Sequence, residues 1–456
     1  MSDLTNIIKK ELRELLTPGS VMSVIVMVVL FVGLGGLVGG EIEKASALPV
    51  VGIANSDDST VEFEDGTWNV YTILHDAYVN SGVPESEISG YIIEVTVEPG
   101  QSIYDAMTAK GVSSMIMVDP SFGENVAHNM EVTDPADLKP AVIWEYYIFE
   151  PTGMFGTMSS TTVTSIVKSL NSSLSAAMLS RGIGDQGCYS FFMNPIQHGN
   201  DYLNTIVDGD EHAGITPQDI SNQISSQTTM IPIIIMIIIM MVGSIVISSM
   251  GAEKENKTLE TLLTLPIRRT TIVTGKIIAA AIVGLVYGLA YMVGLSFYMS
   301  AMMDPVGSGV NLTELGMSIG VADWLLIMVS MFLSIICALG ICMILGAFAK
   351  NYKSAQTMTL PLSILAMIPM FIVMFSGWYG AGSLVKAITF IIPFSHPMMA
   401  MQSLMYGDVT LVLAGIAYML VFALSTILIT VKLYNSDILI TGLGQNKYVQ
   451  KLLGRE

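Results

Sequence analysis

Long apolar runs broken by short charged stretches make up the first forty residues and the whole second half of the chain. Runs at about 20–40, 229–250, 277–301, 324–348, 357–379 and 411–431 each approach the roughly 20 residues that a helix needs to cross about 30 Å of hydrocarbon. The pattern predicts six transmembrane helices. A further apolar run, 384–407, is interrupted by Lys386, Pro393, His396 and Pro397 and reads as a re-entrant or interfacial segment. Ahead of the first run, DLTNIIKKELRELLT puts Leu4, Ile7, Ile8, Leu12, Leu15 and Leu16 on one helical face, and Pro18 and Gly19 then break the helix. This predicts an amphipathic helix over 1–19, lying at the membrane surface. Ala45-Ser46-Ala47 resembles a signal-peptide cleavage site, but Glu41, Glu43 and Lys44 separate it from an apolar run too long for a signal core. The first run therefore reads as a retained span.

Residues 41–226 follow a different rhythm. LPVVGIANSDD, IIEVTVE, SSMIMVD and AVIWEYYIF read as strands, and SIYDAMTAKG reads as a helix closed by Gly111. MFGTMSSTTVTSIVKSLNSSLSAAMLSR, from Met154 to Arg181, suits one long Ser/Thr-rich helix ended by Gly182. The expected fold class is thus an α-helical polytopic membrane protein with six transmembrane helices and an inserted mixed α/β domain over 41–226. That domain is large enough for its own core.

Composition agrees: 52% of the 456 residues are hydrophobic and only 13% charged, about half the charge of a soluble protein. The net charge of −18 hides a division. Residues 41–226 hold 26 acidic side chains against five basic ones, so the remainder is slightly basic. With the N-terminus in the cytoplasm, 14 of the 20 basic residues fall inside, and every short basic loop is among them. Both termini are then cytoplasmic, the tail 437–456 included, and 41–226 is extracytoplasmic, in the plasma membrane of the cell. The acid of 41–226 reads as a solvated face that keeps the domain soluble or, alternatively, as a surface for cations or a basic ligand; the densest clusters, Asp57-Asp58 and 208–212, lack the alternation of a calcium loop, and no metal is assigned. No Lys/Arg-rich block occurs, so nucleic acid is not an expected partner. The three cysteines, Cys188, Cys337 and Cys342, make no disulfide framework.

The spans hold no charge between their ends, which argues against a carrier with a carboxylate at its midplane. No G-x-x-x-x-G-K-[ST] loop and no catalytic triad occur either. The chain is not expected to be an enzyme or to bind a cofactor itself. One break in the apolar pattern asks for a partner: GAEKENKTLETLLTLPIRRTTIVTGKI, between the second and third runs. Thr258 can cap a short helix with Glu260 in its first turn. Leu259, Leu262 and Leu263 share one face, Pro266 ends the helix, and Glu253 and Lys257 are spaced i,i+4. Such a helix serves equally as a docking knob or as a lipid-facing turn.

EKENKTLETLLTLPIRRTTIVTGKIIA resembles the signature of type-two ABC transporter permeases, in which Thr-Leu-Glu, Leu-Leu, Pro and a later Gly-Lys follow the second span. The departure is Asn256-Lys257, where a glycine commonly precedes the threonine. The leading Lys-Lys-Glu-Leu helix, the VVGIANSDD strand, SIYDAMTAKGVSSMIMVDPSF and a PFSHPM segment before the last span are similar to the subgroup with large external domains, which includes NatB-like sodium-efflux and multidrug permeases. The resemblance implies a half-transporter: a homodimer or paired permease in membrane lipid, gripped by cytoplasmic ABC ATPase subunits that carry ATP and Mg. It implies a coupling helix within 253–266, with Glu253, Glu255, Thr258, Leu259, Glu260, Leu262 and Leu263 as ATPase contacts. The expected function is the permease subunit of an exporter moving Na⁺, a drug or a lipid-like molecule. The alternative is a membrane-anchored protein that binds an external ligand or organises the surface without transport.

Overall fold

The computed structural model describes residues 48–64, 66–151, 158–181, 189–258, 310–349 and 351–435, with isolated positions inside 28–40 and 271–294. The chain divides into two compact units, one of 41–223 with 307–315, the other of 1–40, 224–306 and 316–456.

The first of these is an α/β unit. Its six-stranded sheet has the order β4-β1-β5-β6-β7-β8, with β1 Val51–Ala54, β4 Ile92–Glu94, β5 Ser114–Val118, β6 Ile143–Ile148, β7 Leu203–Val207 and β8 Asp210–Ala213. β4, β1 and β5 are parallel, β6 runs against β5, β7 is parallel to β6, and β8 runs against β7. A small hairpin, β2 Val61–Phe63 with β3 Gly66–Trp68, stands apart. The two-residue period of a strand sends alternate side chains to two separate cores. Val51, Ile53, Ile116, Val118, Ile143 and Tyr147 share one with α1 (Val70–Asn80), α3 (Phe122–Glu131) and α4 (Met158–Ser180). Ala54, Met115 and Tyr146 share the other with α2 (Ile103–Lys110). Both faces are covered, so the middle strands are buried on both sides and mostly apolar rather than alternating. Along α4, Val163, Val167, Leu170, Leu174 and Met178 are buried at helical spacing, which leaves its Ser/Thr-rich side outward. A five-residue helix, α5 (Tyr189–Met193), adds Phe191 and Phe192 to the same core.

Every strand and helix named from the sequence in this region is present, and Gly111 closes α2 at φ 67°. The start of α4 before Met158 and Gly182 lie outside the described residues. The structure adds α1, α3, α5 and both hairpins, β2–β3 and β7–β8.

The second unit is a helical bundle. Four helices are long and apolar enough to cross a membrane, by length and composition: Pro217–Glu255, Val321–Phe348, Tyr352–Phe375 and Val409–Leu433. They contain α6 (Pro217–Thr228) with α7 (Met230–Glu255), α8 (Val321–Phe348), α9 (Tyr352–Phe375) and α13 (Val409–Asn435). These match the expected second, fourth, fifth and sixth spans. The first and third fall mostly outside the described residues, although the described positions within them are helical; 1–19 and 437–456 lie outside entirely. The helix of the second span begins at Pro217 rather than near 229, because a capping box starts it there: Asp219 Oδ2 accepts from Thr216 N at 3.1 Å while Asp219 N donates to Thr216 Oγ1 at 3.1 Å. Proline at the first helical position costs nothing, since its missing N–H has no partner to lose. The fifth stops at Phe375, ahead of Gly377 at φ 63°.

α8 packs against α7, α9, α13 and α12 (Ser395–Met405). Small residues let the backbones approach. A Cβ on Gly340 would lie 2.7 Å from Thr426 Cβ, and one on Gly346 would lie 2.6 Å from Met250 Sδ. Contacts advance in step along α7 and α8, and along α8 and α13, so these three are parallel. α9 is antiparallel to α7, with Gly243 against Leu362 and Gly251 against Ala355. Hence 376–408 leaves and re-enters the bundle at one end. It holds α10 (Gly377–Gly380), α11 (Ser383–Ile391) and α12, each too short to span. Every residue of α12 but Gln402 is buried.

Candidate functional site

The loop after α7 was singled out by its sequence, and the structure shows how its root is built. At Gly251 a Cβ would lie 2.5 Å from Ala355 Cβ and 2.9 Å from Asn351 O, so only hydrogen fits against the α8–α9 turn. One helical turn later, Lys254 Nζ donates to Ala347 O and, at 2.9 Å, to Ala349 O. These carbonyls belong to the C-terminal end of α8, where the helix dipole favours a cation. The next residue does the converse: Glu255 Oε2 accepts from Tyr352 N at 3.0 Å. That N–H is the first of α9, where the dipole favours an anion. Asn351 caps the same helix by accepting from Ser354 N at 2.8 Å. A cation on one helix end and a carboxylate on the next thus secure the turn between two spans.

α7 ends at Glu255, with Asn256 as its cap and Lys257 at φ 53°. The helix therefore stops between Glu253 and Lys257 rather than carrying both as the expected i,i+4 pair. Thr258 Oγ1 donates to Glu253 O at 3.0 Å, closing the exposed end of α7. Of the expected ATPase contacts, Glu253, Glu255 and Thr258 are brought together here, with the Glu255 carboxylate turned onto α9. Leu259, Glu260, Leu262 and Leu263 lie outside the described residues. Sequence reasoning passed over Gly251 and Lys254, whose partners lie about a hundred residues downstream; the local signal was a glycine one turn before adjacent Lys and Glu.

Within the four spans, Asp, Glu, Lys and Arg occur only in the first or last turns, as with Asp323, Lys353 and Lys432. The buried polar groups are uncharged. The hydroxyls of Ser330 and Ser334, one turn apart on α8, and Nδ1 of His396 have no hydrogen-bond partner among the described residues. His396 Nε2 pairs with Phe390 O at 3.0 Å, and its ring packs on Phe390 and Tyr418. Asp408 accepts from Tyr379 OH at 3.1 Å and from Leu411 N at 3.0 Å, which caps α13.

The α/β unit contains one buried carboxylate the sequence did not advertise. Glu145, 1% exposed, accepts from Tyr147 OH and Thr164 Oγ1. Burial and that neighbouring carboxylate push the Tyr147 phenol above its ordinary range. Asp57 and Asp58 are exposed, and no group of three or more His, Cys, Asp or Glu among the described residues is arranged to hold a metal ion.

The profile of the ABC-2 family transporter protein matches residues 18–432. No curated protein and no solved structure matches the chain. The match runs from the expected first span to the last turn of α13, and so takes in both the α/β unit and the bundle. With four apolar spans that carry charge only near their ends and a fixed loop root between the second and third expected spans, the chain belongs to the ABC-2 family of transporters and is a multi-pass membrane permease of that family.

Proposed function

We propose that this chain is the transmembrane half of an ATP-driven exporter, worked by cytoplasmic ABC ATPase subunits that bind ATP and Mg and grip the loop after α7. The observation that carries this reading is the family match over 18–432, since permeases of this family normally pair with a cytoplasmic ATPase. Two copies, or this chain with a paired permease, enclose the path. ATPase closure displaces the coupling segment and tips the bundle from inward- to outward-open.

The helix directions support the topology. α7 and α8 are parallel, so the chain between them has to recross, as the expected third span over 277–301 does. The ends of α7, α8 and α13 share one end of the bundle with the start of α9. Lys254, Lys257, Lys353 and Lys432 gather there, and the positive-inside rule assigns that end to the cytoplasm. The uncharged interior suits cargo that needs no buried counter-ion, a lipophilic molecule before Na⁺, whereas the likeness to NatB-like permeases favours Na⁺.

Co-expression with a cognate ABC ATPase tests the reading. The two are expected to co-purify, and Leu259→Asp or Leu262→Asp is expected to abolish both co-purification and transport while membrane insertion survives. Full assembly of those variants would refute the docking role. In proteoliposomes, stimulation of ATP hydrolysis by hydrophobic drugs or by Na⁺ separates the two cargo classes.

A further inference from the structure

We infer that Lys254 and Glu255 are positioning residues that fasten the α8–α9 hairpin to the end of α7, so that a displacement of the following loop moves three spans as one body. The inference rests on the proposed ATP-driven function and deepens it: it names the connection through which force leaves the loop.

Three adjoining features of one helical turn carry the argument. Gly251 allows backbone contact with Asn351 O and Ala355, leaving no layer of side chains to absorb a shift. Lys254 spans the end of α8 with two hydrogen bonds from one ammonium, to Ala347 O and Ala349 O. Glu255 holds the first N–H of α9. Lys254 and Glu255 are adjacent in sequence, so neither can follow the loop without drawing its own helix end along. All three bonds are charge-assisted, and the Lys254 pair is half-buried, where water competes poorly. The bonds also satisfy backbone groups that the helix ends leave open, so parting them leaves carbonyls and an N–H without partners. Met250, one residue before Gly251, lies against Gly346 of α8, so the same stretch of α7 grips both sides of the turn. A loop pulled by an ATPase subunit therefore moves α8 and α9 together with α7.

The wild-type chain in complex with its ATPase provides the first test. Amide hydrogen exchange is followed over 251–258 and 349–355, with and without a non-hydrolysable ATP analogue. Protection is expected to change in both segments together. A change confined to 251–258 overturns the inference, and this arm requires no substitution. The second test is Lys254→Met, which is expected to retain the ATPase subunit. Substrate moved per ATP hydrolysed should fall at least about tenfold, since the charge-assisted hydrogen bonds to both carbonyls are lost. Lys254→Arg should restore the ratio to within about twofold, because guanidinium presents enough donors for both carbonyls. An unchanged ratio in Lys254→Met overturns the inference. So does loss of ATPase binding in that variant, which would place Lys254 on the docking surface instead. A wild-type chain that binds no ATPase overturns the proposed function and this inference with it, a result read before any variant is made.

Discussion

Lys257 sits at φ 53° in the turn that ends α7, where a Cβ crowds the backbone and glycine is the favoured residue. The departure from the family signature noted in the sequence thus falls on a left-handed position, whose geometry is kept without the residue that suits it best. Lys257→Gly is expected to stabilise the detergent-solubilised protein by about 0.5–1 kcal/mol, read as a higher thermal midpoint. Tyr78 supplies a second test. Its hydroxyl donates to Pro49 O at 2.6 Å, and burial pushes its phenol up to about 12, with Tyr91 adding to the shift. The fold favours the neutral phenol, so this contribution is complete below the ordinary value of 10.0 and is lost as pH rises through about 12. Tyr78→Phe should remove that alkaline loss while costing about 1–3 kcal/mol at neutral pH for the orphaned carbonyl; denaturant titrations at pH 7 and pH 11 check both. Glu145 was not legible in AVIWEYYIF. With both faces of the sheet covered, alternation offers no polar side, and the hydroxyls that satisfy the carboxylate come from Tyr147 and from Thr164 on a different element.

Helices and strands were legible where one physical signal dominated. The four described spans announce themselves by apolar length alone. Their ends do not, because the helix of the second span continues through DISNQISSQT, which is polar enough to pass for a loop. The Thr216-Pro217-Gln218-Asp219 capping box was the readable cue. Asp219→Ala should cost about 1 kcal/mol and raise hydrogen exchange over 217–228 before it affects α7. Likewise Asp208-Gly209, part of an acidic cluster, is the turn of the β7–β8 hairpin, with φ 51° and 96°, a pairing that dipeptide commonly signals. α3 escaped notice because its buried apolar face is only Phe122 and Val126. Packing between helices yields a sharper prediction. Gly251→Ala places a methyl 2.5 Å from Ala355 Cβ and should cost about 1–3 kcal/mol through forced separation of α7 and α9. Gly382→Ala, with nothing within 4 Å of its Cβ, lacks that clash and should cost no more than the roughly 0.5–1 kcal/mol of a poorer N-cap on α11 in the same thermal assay.

For the molecule as a whole, class was legible because apolar composition carries it over hundreds of residues, and family because one short loop motif points to it. The packing partners of α12 were not legible, since SHPMMAMQSLM is buried by α7, α8, α9, α11 and α13 around it rather than by any periodicity of its own. The proposed orientation is open to direct measurement. In a Cys188→Ser background, Glu314→Cys should react with a membrane-impermeant maleimide on intact cells and Lys353→Cys only after permeabilisation; the reverse pattern would invert the topology. The short turn between Phe348 and Tyr352 also bears on how the protein is made. Lys254 leaves the ribosome 95 residues ahead of Ala349, an interval of about 5–20 s at ordinary translation rates. Throughout that time the carbonyls that Lys254 holds, and the N–H that Glu255 holds, have not all been made. The contacts of Lys254 and Glu255 are completed only when the late α8–α9 hairpin is in place, which makes the fastening of α7 a late step of biogenesis.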